Sequence, residues 1–377
     1  MTIDNVTIEC FRNIRSAQIA FPPGITYLTG GNGSGKTSAL EAIYCAAIGK
    51  PFRARIAAEA ITYGEAQYKI DAVCTYKDAE TRLGIVLSRE DKKYYVGGIE
   101  TDGAKDFLGN LRAVLFTPDH LSIVKGGSEA RRRFADGAIS QMSPSFLRYV
   151  TDYGRLLVNR NSVLRQLRGR VFDDSARNYL WAWTEKTIKY AAAITRYRGE
   201  YAARLGELAP DFYREIAEGD GGQAEKLAVS YSSSGDGVSA LDSFKDTAKI
   251  EELYARTYER RLGEELHAGT TLAGPHRDDI SFTLNLRNAR NSASQGQQRS
   301  AVIALKFAEG EIAKTALGSY PVFLLDDILS ELDSSRRGYL IEKLRDRQSV
   351  ITCTDAELPD DSGGFICQVE GGEFKCT

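Results

Sequence analysis

The sequence predicts an α/β fold: a mixed sheet plus an antiparallel sheet carrying a phosphate loop, with a compact α-helical subdomain inserted between the two ends of the chain. Three observations predict it. A glycine-rich turn, LTGGNGSGKTSAL at 28–40, joins an apolar strand to a helix. A second apolar strand, PVFLLDD at 321–327, ends in two carboxylates near the other end of the chain. Strand patterning crowds both ends, while helical periodicity fills the centre.

Taken in order, VTIECFR and AQIAF alternate in apolar character and read as strands. Ile25-Thr26-Tyr27-Leu28 forms the strand that enters the turn, and Leu40, Ile43, Tyr44 and Ala47 recur behind it at helical spacing. YKIDAVCTY, TRLGIVLSR and KKYYVGGI alternate again across short turns, an antiparallel meander. AVLF adds a buried strand stopped by Pro118. From about 129 to 266 the texture is helical. Phe146, Tyr149, Tyr153, Leu156, Leu157, Val163, Leu164 and Leu167 make one stripe; Tyr179, Trp183, Thr187, Tyr190, Ile194, Tyr197 and Tyr201 make a coiled-coil-like seam. Both stripes predict helix–helix packing. Helices of some 25 residues would reach only about 37 Å, a compact subdomain and not a long arm. DDISFTLN returns to strand, RNARNSASQGQQRS leads into a helix, and SVITCTD is a further strand. GFICQVEGGEFKC predicts a hairpin turning on Gly-Gly. The expected division is an N-terminal lobe at 1–128 with the phosphate loop, a mainly helical arm subdomain at 129–266, and a C-terminal lobe at 267–377.

Composition excludes several classes. At 377 residues the chain exceeds a single typical core. Its 42% hydrophobic and 27% charged residues are those of an ordinary globular protein. No run of eighteen apolar residues and no signal core is present, so a cytoplasmic protein without a membrane span is expected. The six cysteines are scattered without C-x-x-C, predicting reduced thiols, and three histidines leave little for a His-built metal site. A net charge of −2 excludes a globally basic nucleic-acid binder but allows a local basic face.

The turn fits G-x-x-x-x-G-K-[ST]. Residues Gly30, Gly31, Asn32, Gly33, Ser34, Gly35, Lys36 and Thr37 would cradle a nucleoside triphosphate. The glycines let successive N–H groups curl around phosphate at a helix N-terminus. Lys36 reaches the outer phosphates, and the Thr37 hydroxyl can hold Mg²⁺. Opposite it, Asp326 would order the Mg²⁺ shell and Asp327 would polarise the attacking water. The strand carrying them is expected beside the loop's own strand. Ser294, Gln295, Gly296 and Gln297 open a helix and can offer a hydroxyl and N–H groups to a γ-phosphate. In its own subunit that segment should sit far from the loop, so two chains facing head to tail would share two nucleotides.

A Lys-Thr phosphate loop at the start, then SQGQ, then LLDD…SELD resembles the heads of SMC-like ABC ATPases. FRNIRSAQIAF, GNGSGKTSALEAIY, VLFTPDHLSIVKGG, RRRFADGAI, RLLVNRNSVLR, GPHRDD, SQGQQR and LLDDILSELD narrow the resemblance to the RecF family of bacterial recombination mediators, over nearly the whole chain. The resemblance implies an ATP- and Mg²⁺-dependent homodimeric clamp with slow, DNA-stimulated ATP hydrolysis. Asp327 stands where most ABC ATPases carry a glutamate, one methylene longer. Arg12 and Asn13 would approach the nucleotide, 294–298 would be the signature acting in trans, Asp326 belongs to the Walker B strand, and Ser330, Glu331 and Asp333 would face the dimer axis. LFTPDH lacks the usual glutamine, and Thr354 and Asp355 replace the switch histidine. The implied partners are double-stranded DNA and ss/ds junctions, without sequence specificity, and RecR with RecO. The implied setting is DNA damage repair, replication-fork maintenance and the SOS response. Sequence support for DNA is local: 148–170 carries six arginines against Asp152 alone, and Arg131, Arg132 and Arg133 form a second cluster. Arg155, Arg160, Arg165 and Arg168 are the candidate contacts of the first. His276 and Arg277 could touch a partner subunit or brace the signature. A small-molecule or nucleotide kinase, or another SMC-like ATPase subunit, is the alternative.

Overall fold

The computed structural model describes residues 1–219, 225–358 and 363–376. Its N-terminal strands are β1 (Thr2–Phe11), β2 (Ile14–Ala20) and β3 (Ile25–Thr29), followed by helix α1 (Lys36–Ile48). Then come β4 (Gln67–Tyr76), β5 (Ala79–Ser88), β6 (Lys92–Val96), β7 (Ile99–Glu100), the short α2 (Ala104–Phe107) and β8 (Ala113–Phe116). The helical stretch holds α3 (Leu121–Lys125), α4 (Ser128–Met142), α5 (Pro144–Leu167), α6 (Asp174–Gly219), β9 (Leu227–Ser232) and α7 (Thr247–Ala268). It leads to β10 (Asp279–Leu284), β11 (Arg287–Asn288), α8 (Ala289–Ser292) and α9 (Gln295–Leu317). The C-terminal part is β12 (Val322–Asp326), α10 (Ser334–Leu344), β13 (Ser349–Cys353), β14 (Phe365–Glu370) and β15 (Glu373–Cys376).

The chain divides into two compact units. One comprises Met1–Leu121, Asp211–Glu225 and Gln295–Thr377; the other comprises Ser122–Pro210 and Lys226–Ser294. The helical unit thus begins before 129. It also keeps 267–294, because β10 pairs with β9 and packs on α4.

In the first unit the expected meander is real and larger than expected. β2-β1-β4-β5-β6-β7 form one antiparallel sheet, so the N-terminal strands join it. The second sheet runs β15-β14-β3-β13-β12-β8, with β14, β3, β13, β12 and β8 mutually parallel. Its strands β3, β8, β12 and β13 are buried along their whole length, as strands covered on both faces must be. Helix α1 contributes Leu40, Ile43 and Ala46 to the same core as Val6 and Ile8 of β1 and Leu324 of β12. Because it is enclosed by both sheets, it is apolar on nearly every side instead of carrying one stripe. One expectation is corrected here. β12 does not lie beside β3; β13 separates them, with Thr352 paired to both Leu28 and Asp326.

The C-terminal hairpin turns on Gly371 and Gly372 as predicted. Its register places Cys367 opposite Cys376, and the two are disulfide-bonded. The expectation of six reduced thiols is therefore wrong for this pair, whose partner lies across a hairpin and not in a sequence motif. Cys10, Cys45, Cys74 and Cys353 are free.

In the second unit α5 packs on α6 through Phe146 against Tyr197 and Tyr149 against Tyr190, ring centroids 5.3 and 5.8 Å apart. Thr187, Ile194 and Tyr201 of the seam are buried and Tyr190 and Tyr197 pack on α5, but Tyr179 is 55% exposed. The expected helix length does not hold: α6 runs 46 residues, of which 174–210 lie in this unit and the rest in the first. No glycine or proline cluster interrupts it, and Pro210 is carried inside the helix.

Candidate functional site: a nucleotide pocket built from both chain ends

β3 delivers the chain into the turn at Gly30, whose φ of 141° excludes other residues. A Cβ there would also lie 2.3 Å from the Val369 carbonyl oxygen. Gly35, at φ 121°, caps α1. Lys36 Nζ donates to the Gly30 and Gly31 carbonyls at 2.6 and 2.8 Å. Thr37 Oγ1 donates to Asp326 Oδ1 at 2.7 Å, so residues from opposite ends of the chain meet where a divalent cation would be held. Thr352 Oγ1 donates to the same oxygen at 3.0 Å and accepts the Asp327 N–H at 2.9 Å. Burial pushes the Asp326 carboxyl above the usual range, against the hydrogen bonds of Thr37 and Thr352. Asp327 itself sits at φ 51°, a left-handed conformation that aspartate tolerates better than most residues.

A cavity of about 470 Å³ lies over this turn. Of the predicted residues, Arg12, Asn13, Asn32 to Thr37 and Asp327 line it. Ser34 Oγ is buried without a protein partner, a hydroxyl left for a ligand oxygen. The donor set suits a triphosphate with Mg²⁺: backbone N–H groups at a helix start, one lysine, one hydroxyl and one carboxylate.

Three features were not anticipated. Arg53 and Thr352 line the cavity, and neither belongs to a pattern that sequence alone marks. Glu41, fully buried on α1, holds Arg12 by two hydrogen bonds of 2.8 and 3.0 Å and accepts the Arg53 N–H at 2.7 Å. Arg12 is therefore committed to Glu41 at the rim of the cavity. Asn13 braces the loop, donating to the Gly33 carbonyl at 3.0 Å and accepting from Ser38 Oγ at 2.7 Å.

None of the signature residues is among those lining this cavity. Ser294 ends the second unit, and Gln295, Gly296 and Gln297 open α9 without lining the pocket. Gln297 donates to Glu225. Ser330 Oγ donates to the Asp327 carbonyl at 2.9 Å, Glu331 pairs with Arg299, and Asp333 caps α10 through the Arg336 N–H at 3.0 Å. In the segment that lacks the glutamine, His120 Nδ1 accepts the Thr117 N–H at 3.1 Å, and burial lowers its pKa well below the ordinary value.

The arginine candidates divide sharply. Arg160 is 1% exposed and donates to Glu265, Thr184 and Thr271 at 2.6, 3.0 and 2.7 Å. Arg131 is buried and forked onto Asp279 at 2.7 and 2.9 Å. Neither can meet DNA; both are structural ion pairs, and both expectations are corrected. Arg132 is half-buried and donates to the Asp278 carbonyl at 2.7 Å. Arg133, Arg155, Arg165 and Arg168 are exposed. Within GPHRDD, His276 and Asp278 are tied into their own unit, whereas Arg277 is exposed. The Thr271 carbonyl can only accept, so His276 carries its proton on Nε2 at 3.3 Å from it, and Nδ1 accepts the Tyr153 hydroxyl at 2.7 Å. Burial lowers the His276 pKa to about 4. Asp278 is buried beneath Tyr231 and Ser234, which donate to it.

Comparison with known proteins follows the same lines. A family model described as the RecF/RecN/SMC N terminal domain matches residues 2–361. The DNA replication and repair protein RecF of Halalkalibacterium halodurans is 34% identical over 379 residues, covering 100% of this chain and 99% of that protein. The chain belongs to the RecF family. RecF of Ruminiclostridium cellulolyticum is 35% identical, with both chains covered in full. A solved structure described as the recombination mediator protein RecF with ATP in the RecFOR pathway superposes with a TM-score of 0.88 at 27% identity, covering 100% of this chain and 99% of that one. The Smc head domain of Pyrococcus furiosus shares the fold alone, at a TM-score of 0.56 and 14% identity.

Proposed function

We propose that this RecF-family chain is an ATP-gated clamp on duplex DNA that helps load recombinase at gaps. The observation that carries the reading is the split site. Phosphate loop, Thr37 and Asp326 assemble in one unit of a single chain, while the residues suited to the γ-phosphate open a helix outside that cavity. A second copy, docked head to tail, would supply them.

Lys36 would exchange its two carbonyl partners for the outer phosphates. Thr37 and Asp326 would hold Mg²⁺, which supplies charge neutralisation on the phosphates. Asp327 would orient the attacking water, and its short side chain favours slow turnover, a timer on the clamp. Exposed Arg133, Arg155, Arg165 and Arg168 would contact phosphates without reading bases. Solved RecF with ATP supports the nucleotide assignment. Among the described residues no helix is long and apolar enough to cross a membrane, and a cytoplasmic setting is part of the proposal. RecR with RecO as partners, ss/ds junctions as substrate, and a role in the SOS response belong to the same reading.

Molar mass by light scattering tests it. A dimer with ATP·Mg²⁺ alone, and a monomer with ADP·Mg²⁺ or no nucleotide, is expected. Ser294→Arg should abolish the dimer while ATP still binds. A mass of 41.5 kDa in every state, with ATP bound, would refute the shared site.

A further inference from the structure

In a trans peptide the carbonyl of one residue and the N–H of the next point in opposite directions. A loop that aims N–H groups at phosphate must therefore turn the preceding carbonyls away, and each carbonyl needs a partner on that far side. Four carbonyls of this loop have one. Lys36 takes those of Gly30 and Gly31, Asn13 takes that of Gly33, and the Gly372 N–H donates to that of Ser34 at 2.8 Å. Lys36 is needed at the phosphates when nucleotide arrives. The Gly31 carbonyl keeps the Ser34 N–H at 3.3 Å within the loop, and the ties that persist from outside it are those of Asn13 and Gly372, one from each end of the chain.

The C-terminal hairpin is seated closely enough to fix the loop. The Val369 carbonyl fills the space where Gly30 would carry a Cβ, and the Gly372 Cα lies 3.4 Å from the Cβ position of Gly35. Gly372 has φ 89°, and a Cβ on it would stand 3.0 Å from the Asn13 carbonyl. Its neighbour Gly371 has φ 58° and open space around its Cβ position. Two adjacent turn glycines thus share left-handed backbone but only one abuts the site.

We infer that the β14–β15 turn is a positioning element of the nucleotide site: the Gly372 N–H holds the Ser34 carbonyl outward and thereby keeps the Gly35 N–H facing the phosphate. The inference rests on the nucleotide reading of the loop. It makes the C-terminal hairpin a handle on nucleotide affinity, acting through one peptide plane.

The test compares Gly372→Ala with Gly371→Ala in the full chain. Measured are the Kd for ADP and for ATP·Mg²⁺, the Gly35 amide proton shift on ADP binding, hydrolysis as a function of ATP concentration, and the nucleotide-free melting temperature. Gly372→Ala should weaken both nucleotides about tenfold, the scale of one lost hydrogen bond. It should also shrink the Gly35 amide shift, and hydrolysis should need about tenfold more ATP to saturate. Gly371→Ala should bind as the parent does. Equal losses in both variants, or none in either, would overturn the inference while leaving the nucleotide site intact. A parent chain that binds neither nucleotide would overturn the site assignment and the inference together.

Discussion

Arg160→Met should unfold the helical unit more easily and leave DNA affinity untouched. Arg160 and Glu265 are 1% and 0% exposed, 2.6 Å apart, and the guanidinium lies 4.5 Å from the Tyr258 ring centre. Its other nitrogens satisfy Thr184 and Thr271, so all three faces of the fork are engaged. Methionine fills much of the volume but strands the Glu265 carboxylate with the Leu272 N–H as its remaining partner. Removing one member of a buried pair costs about 3–5 kcal/mol. Against a typical domain stability of about 5–15 kcal/mol, that is a large loss. Replacing both residues with apolar ones, Arg160→Met with Glu265→Met, should recover most of it, because no buried charge then remains. Urea unfolding followed by circular dichroism measures the loss. The salt dependence of duplex binding measures phosphate contacts, and a buried arginine should not change its slope. If Arg160→Met keeps full stability and lowers that slope by about one, the assignment of Arg160 to the interior is wrong.

Asp327→Asn should reduce single-turnover hydrolysis by about 10²-fold or more with ATP affinity retained, as rapid quench would show. Changing Arg133, Arg155, Arg165 and Arg168 together to alanine should reduce the salt slope of duplex binding by about 3–4 without loss of stability; an unchanged slope would move the DNA to another face. His276 is neutral in the folded chain, with a pKa of about 4, and gains a proton below about 6.5 when unfolded. Its contribution is therefore complete above pH 6.5 and declines as pH falls toward 4, by up to about 3 kcal/mol. Tyr153, the Thr271 carbonyl, Arg277, Arg132 and Arg160 surround it. His276→Asn should flatten that part of the pH–stability curve relative to the parent.

Local order was legible where the chain's own neighbours decide it. The phosphate loop, the strand into Asp326 and the Gly-Gly hairpin each announce themselves within a dozen residues, and the structure keeps them. Burial of single arginines was not legible. Arg155 and Arg160 look alike in a stretch rich in arginine, yet only Arg160 has an acid waiting 105 residues away. Strand neighbours were also hidden, since parallel pairing is set by long crossovers and not by turns. The position of β13 between β3 and β12 follows from that. Glu41 escaped notice because one carboxylate on an apolar helix has no pattern, although it orders both Arg12 and the chain at Arg53.

The placement of β3 has a consequence for how the molecule is made. That strand, complete by residue 29, is flanked only by β13 and β14, which begin at 349 and 365. During synthesis the phosphate loop is made long before either of these supporting strands. A nascent chain that has not reached β13 and β14 carries the loop without the strands that flank β3 in the fold.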